Sequence, residues 1–201
     1  MVDPVWGKLS VCDACAAFSG TNPVASMHMN IRPANAADAA AICEVIRQSI
    51  AGCCYADHQG DPAVIERWLA NKTVDNVEKW LAVPASMALV AEEAGRMLGS
   101  VLLSGDELAL CYVVPHALHK GVGKSLLRAA EAAALARGIE VLHLNSTRTA
   151  RRFYRRNGFS ECGSPRVWAG LESQPMTKQL VAAGPSSGCF AGDITAHLET
   201  S

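Results

Sequence analysis

Val113-Val114-Pro115-His116-Ala117-Leu118-His119-Lys120-Gly121-Val122-Gly123-Lys124-Ser125 is the stretch on which the reading of this chain turns. It leaves an apolar segment, Glu107–Val114, closed by Pro115, and enters a segment of helical apolar spacing that ends near Gly138. That order predicts strand, glycine-rich loop, helix. Two glycines two apart let the backbone approach a ligand and turn several N–H groups into one concavity. The helix N-terminus adds positive potential there, and Lys120 and Lys124 add formal charge. Residues 119–125, that is His119, Lys120, Gly121, Val122, Gly123, Lys124 and Ser125, are therefore candidate phosphate binders. Two nucleotide motifs are excluded. The phosphate loop of ATPases needs glycine where Leu118 stands, and a dinucleotide fingerprint needs one where Leu126 stands.

Working outward, the chain reads as one unit over residues 29–181, between a leader (1–28) and a tail (182–201) entered through Gly184-Pro185-Ser186-Ser187-Gly188. Asn30-Ile31-Arg32 is a short strand. Asn35 can cap a helix whose apolar face is Ile42, Val45, Ile46 and Ile50, ended by Gly52. Asp61-Pro62 and Thr73 open two shorter helices. Met87–Glu92, Met97–Leu103 and Glu107–Val114 form a meander. Glu140–Leu144 is a strand, Thr147–Arg156 a helix, and Phe159–Cys162 and about Pro175–Leu180 are final strands. The expected class is α/β, a mixed and mostly antiparallel central sheet flanked by helices.

The 201 residues are 50% hydrophobic and 5% aromatic, with a net charge of −1. The longest apolar runs fall far short of the ~20 residues that cross a bilayer, and no secretory signal is read, so the expected compartment is cytoplasmic and no membrane partner is expected. The eight cysteines are expected to be reduced. Cys12-x-x-Cys15 finds no second pair, and Cys53, Cys54 and His58 fit no zinc module, so no metal is expected. Charge is uneven. Residues 30–114 carry six basic and eleven acidic side chains, whereas residues 115–160 carry nine basic and two acidic. The first stretch suits a cationic ligand and the second a polyanion. Low aromatic content and the lack of any nucleic-acid motif point away from nucleic acid and toward a phosphorylated small molecule.

A second motif lies downstream: Asn145-Ser146-Thr147-Arg148-Thr149-Ala150-Arg151-Arg152-Phe153-Tyr154-Arg155-Arg156-Asn157-Gly158-Phe159. Together with the loop it resembles the GNAT superfamily of acyl-CoA-dependent N-acetyltransferases. That family's pyrophosphate loop is written Q/R-x-x-G-x-G/A, with Leu118 here replacing the leading Gln/Arg. Its second signature is N-x-x-A-x-x-F-Y-x-x-x-G-F, with the Asn-to-Ala gap here longer by two. The likeness covers about residues 29–181 and leaves the substrate open.

The resemblance implies acetyl-CoA as co-substrate and a small-molecule or peptide amine as acceptor, with a homodimer as one conceivable assembly. It implies that the strand carrying Val113 and Val114 splays from the next one and pairs with the pantetheine amides. A backbone N–H near Val114 would then face the oxyanion. Asn145 would bind pantetheine or cap the next helix, and Arg151 and Arg152 would approach the 3′-phosphate or the adenine. Tyr154 would protonate the departing thiolate, while Phe153 reads as core. Glu107, Asp57 and His58 are the alternative general bases. A non-catalytic acyl-CoA sensor is the rival function.

Overall fold

The computed structural model describes residues 29–168 and 170–180. The expected leader and tail, and the Cys12/Cys15 pair, lie outside the described residues. The first strand, β1 (Asn30–Pro33), is tied to the helix that follows by Arg32, whose guanidinium grips Asp38 with two 2.8 Å hydrogen bonds. That grip holds the Asp38 carboxyl below its usual range. Asp38 also accepts Asn35 N–H, and Asn35 accepts Ala37 N–H, which closes a capping box at the start of a short 3-10 turn. The turn runs into α1 (Ala39–Cys53), whose Ile42, Val45, Ile46 and Ile50 are buried as their spacing predicts.

Three short helices follow: α2 (Tyr55–His58), α3 (Pro62–Leu69) and α4 (Val74–Leu81). Asp61 and Thr73 cap the last two through their side chains. The meander is β2 (Ser86–Glu93), β3 (Arg96–Ser104) and β4 (Glu107–Val113). Then come α5 (Val122–Ala136), β5 (Val141–Ser146), α6 (Arg148–Arg156), β6 (Ser160–Glu161), β7 (Arg166–Trp168) and β8 (Leu171–Gln179).

The strand order is β1-β2-β3-β4-β5-β8-β6, with β7 pairing to β8. Every pairing is antiparallel except β4 with β5, so the expected mixed, mostly antiparallel sheet is present. The region Tyr55–His58, expected as loop, is one turn of helix. The last strand starts at Leu171, four residues before Pro175. Proline lacks an N–H and usually ends a ladder. Here it stays within the strand, and its carbonyl accepts Cys162 N–H at 2.9 Å.

Helix α1 packs on one face of β3 and β4, and α5 on the other; α6 covers β5 and β8. The seat of α5 depends on Gly99. A Cβ there would lie 2.7 Å from Tyr112 O and 2.9 Å from Leu126 Cδ1 of α5. Gly99→Ala should therefore cost about 1–3 kcal/mol, because backbone and helix must both move. A thermal melt lowered by several degrees is the expected result, and an unchanged melt would contradict this close approach.

Candidate active site

Strands β4 and β5 pair at one register position, Glu107 with His143, and diverge from there. The result is a wedge in the sheet, narrow at Glu107 and open at Val113. Its β4 wall follows from the ladder on the far side. Val113 lies opposite Gly99 while Val114 N–H bonds Leu98 O at 2.9 Å, so Gly99 and Val113 form a non-hydrogen-bonded pair. The backbone N–H and C=O of Val113 thus aim away from β3, into the wedge. Cys111, opposite Val101, does the same. Val114 does not, and its amide is bonded to β3. The expectation that Val114 supplies an oxyanion donor is corrected on that ground for its own N–H.

The narrow end is shaped by a bulge. Leu102 pairs with Leu110 and Leu103 with Leu108, leaving Ala109 as the extra residue. The slip turns Glu107 onto the face shared by Leu110 and Tyr112, opposite to Val113. Glu107 sits there half-buried, and its Oε1 accepts from Asn145 Nδ2 at 3.4 Å. Asn145 lies within β5, opposite Pro175, and lines a cavity of about 490 Å³ with His143, Cys162, Pro165 and Arg166. Six residues of strand separate Glu107 from Val113, roughly 20 Å.

At the open end, α5 is entered through Gly121, its N-cap residue, whose φ of +84° is left-handed. No side chain caps α5, so its first N–H groups face outward. They open into a cavity of about 320 Å³ lined by Val113, Leu118, His119, Gly121–Lys124, Phe153, Arg156 and Asn157. His119, itself at φ +62°, shares the lining of this cavity with Lys124 and Arg156. A helix N-terminus with two cations is an anion site. Lys120 is exposed, and Ser125 N–H is already bonded to Gly121 O at 2.9 Å.

Helix α6 contrasts with α5, because its N-terminus is closed. Thr147 Oγ1 accepts Ala150 N–H at 3.1 Å. Asp57 of α2 accepts Arg148 N–H at 2.8 Å, Thr149 N–H at 3.2 Å and the Thr149 hydroxyl. His58 is also engaged. Its Nδ1 accepts Gly60 N–H at 2.9 Å, which leaves Nε2 to donate to Ile50 O at 3.2 Å. The buried ring ties α2 to α1. Both ring nitrogens of His58 are engaged, so as a general base it is corrected to a structural position; Asp57 is committed to the first turn of α6, while its Oδ1 keeps a lone pair at the edge of a cavity of about 330 Å³ that it lines with His58 and Glu172. Asp61 likewise caps α3, so two carriers of the acidic character of the first half are helix caps.

Tyr154 is fully buried, edge-on to Phe153 at 5.2 Å and Phe159 at 5.4 Å. Phe153, expected as core, packs against the core and also reaches the wall of the 320 Å³ cavity. Arg151 bonds Glu172 at 2.8 Å and Arg152 is exposed, whereas Arg156 lines the cavity. Arg156 and Asn157 were not singled out from the sequence. Their spacing of three and four from Phe153 was the available signal, since it puts all three on one face. Burial pushes the Cys111 thiol up to about 12, so no thiolate forms there near neutrality. Among the described residues no group of three His, Cys, Asp or Glu could hold a metal ion, and no helix is long and apolar enough to cross a membrane.

A family model described as the acetyltransferase (GNAT) domain matches residues 56–180. The chain is 35% identical over 147 residues to the uncharacterized N-acetyltransferase YhfO of Bacillus subtilis, covering 66% of this chain and 91% of that protein. Among solved structures, a GCN5-related N-acetyltransferase of Rhodopseudomonas palustris superposes with a TM-score of 0.70 at 26% identity, covering 80% of this chain and all of that one. The acetyltransferase yncA of Salmonella typhimurium, solved with acetyl-CoA, gives a TM-score of 0.59 at 26% identity, over 80% of this chain and 99% of that one. The class so defined is the acetyl-CoA-dependent N-acetyltransferases. The chain belongs to the GNAT acetyltransferase family.

Proposed function

We propose that this enzyme transfers acetyl from acetyl-CoA to a primary amine by direct attack, without an acyl-enzyme. The observation that carries the reading is the wedge, with an open helix N-terminus and cations at its mouth and the Glu107 carboxylate, held by Asn145, at its vertex. The pyrophosphate rests on the N–H groups of residues 121–124 beside His119, Lys124 and Arg156, with Lys120 adding long-range attraction. The pantetheine arm pairs with Val113 and Cys111 as an added strand would.

An amine with a pKa near ~10 arrives protonated and must lose that proton before it attacks. Glu107 takes it, directly or through water, and Asn145 holds the carboxylate by its 3.4 Å hydrogen bond. The amine nitrogen then bonds to the thioester carbonyl carbon, the C–S bond breaks, Tyr154 gives its phenolic proton to the thiolate, and the proton shed by the new amide nitrogen passes through water to the phenolate and restores Tyr154. Cys111 stays out of the chemistry, because burial keeps its thiol protonated.

The test is calorimetric titration of acetyl-CoA into the full chain, followed by thiol release with a panel of amines: a polyamine, an aminoglycoside, free lysine and a peptide with a free N-terminus. Micromolar binding and turnover on at least one amine are expected. Binding with no turnover on any amine, and no effect of Tyr154→Phe, would make the chain an acyl-CoA sensor. No binding by folded protein would end the reading.

A further inference from the structure

With β4 and β5 joined at one position, the sheet is nearly two sheets, and something besides the ladder must set the width of the wedge. Near the vertex this is done by Glu107–Asn145 and by Lys178 of β8, which bonds Glu131 of α5 at 2.6 Å. The mouth is a separate problem. There β5 ends at Ser146 and α6 starts two residues later, on the half of the molecule that carries Phe153, Arg156 and Asn157. The first half carries the open end of α5. Any change in the spacing of the halves separates Arg156 from Lys124 across the anion cavity.

We infer that Asp57 is a positioning residue that braces the mouth of this wedge. Its carboxylate spans from α2 to the first turn of α6 and takes the N–H groups of Arg148 and Thr149 and the Thr149 hydroxyl. The two residues lie 91 and 92 positions away in sequence, so the contact is a tertiary tie. A negative charge at a helix N-terminus also favours the macrodipole, which stiffens the tie. Rigidity on the other side comes from His58, which locks α2 to Ile50 of α1 and to Gly60. The brace thus runs α1, His58, Asp57, α6, around the open end of the gap. Arg148 adds a second anchor on its own half by bonding Glu172 of β8 at 2.9 Å.

The inference rests on the proposed acetyl-CoA site, and two readouts separate its fate from that of the site. The first needs no ligand. In Asp57→Ala, amide exchange at Arg148 and Thr149 should quicken by at least about tenfold. The second is acetyl-CoA affinity, expected to fall by about tenfold, about 1.4 kcal/mol, in the same variant. Asp57→Asn keeps one acceptor oxygen of the two, enough for the Thr149 N–H and hydroxyl or for the Arg148 N–H, and is itself a good capping residue. It should bind acetyl-CoA within about threefold of wild type and keep most of kcat. Thr149→Val, which removes the hydroxyl tie alone, should give an intermediate loss of affinity and stands in if Asp57→Ala does not fold.

Wild-type exchange and affinity in Asp57→Ala would overturn the brace. So would a kcat loss in Asp57→Asn as deep as in Asp57→Ala with affinity intact, since that pattern marks a proton acceptor. If wild type itself binds no acetyl-CoA, the site fails, and unchanged exchange in Asp57→Ala then rejects the brace on its own.

Discussion

Gly121→Glu abolishes acetyl-CoA binding in calorimetric titration, with affinity falling by more than about 100-fold, or about 2.7 kcal/mol. Two effects add. Gly121 holds φ at +84°, and an L-residue there costs about 1–2 kcal/mol. A Cβ would meet nothing within 4 Å, so the variant has room to fold. The new carboxylate projects from the mouth of α5 into the cavity that His119, Lys124 and Arg156 line, and competes for the same cations and N–H groups as the pyrophosphate. Gly121→Ala separates the terms. It carries the strain without the charge, and should weaken binding by about tenfold. A Gly121→Glu protein that melts cooperatively and still binds acetyl-CoA as wild type does would remove the pyrophosphate from this loop. The proposed function would then lose its anchor.

What could be read from the sequence follows physical locality. The meander and α5 were legible because turn signals at Gly95 and Gly105 bracket apolar runs of strand length, and because α5 repeats its apolar residues at helical spacing. The loop was legible because glycine spacing reports backbone geometry directly. Helix α2 was not, since four residues are too few to show a period. The face of Glu107 was hidden as well. Residues 108–113 are buried on both faces, so no alternation marks which way a side chain points, and the bulge at Ala109 reverses it. The engagement of Asp57 and His58 was out of reach for a different reason. A carboxylate beside a histidine reads the same whether it meets substrate or caps a helix 91 residues away. Only the tertiary fold decides that, and here it decides for the cap.

Glu107 is the half-buried carboxylate that Asn145 holds at the vertex, and its removal has the largest expected effect on turnover. Glu107→Gln keeps the shape and can still meet Asn145, but it cannot accept a proton. At pH 7, kcat should drop by about 10²–10³-fold, the usual range for a lost general base. Acetyl-CoA affinity should stay within about twofold, because the groups that hold the pyrophosphate lie at the Val113 end of β4, roughly 20 Å away. The pH profile carries the signature. Without a base, the reaction depends on the fraction of amine already neutral, which rises about tenfold per pH unit up to the amine pKa near ~10. The variant should therefore regain rate steeply with pH, and the gap from wild type should close in alkaline buffer. Two results would count against Glu107. One is full activity of Glu107→Gln at pH 7. The other is a constant deficit across pH, which would mean that the side chain shapes the site without moving a proton. Asn145→Ala gives the companion measurement. It leaves the carboxylate in place but removes its 3.4 Å partner, so its kcat loss should be smaller than that of Glu107→Gln and should not close with pH.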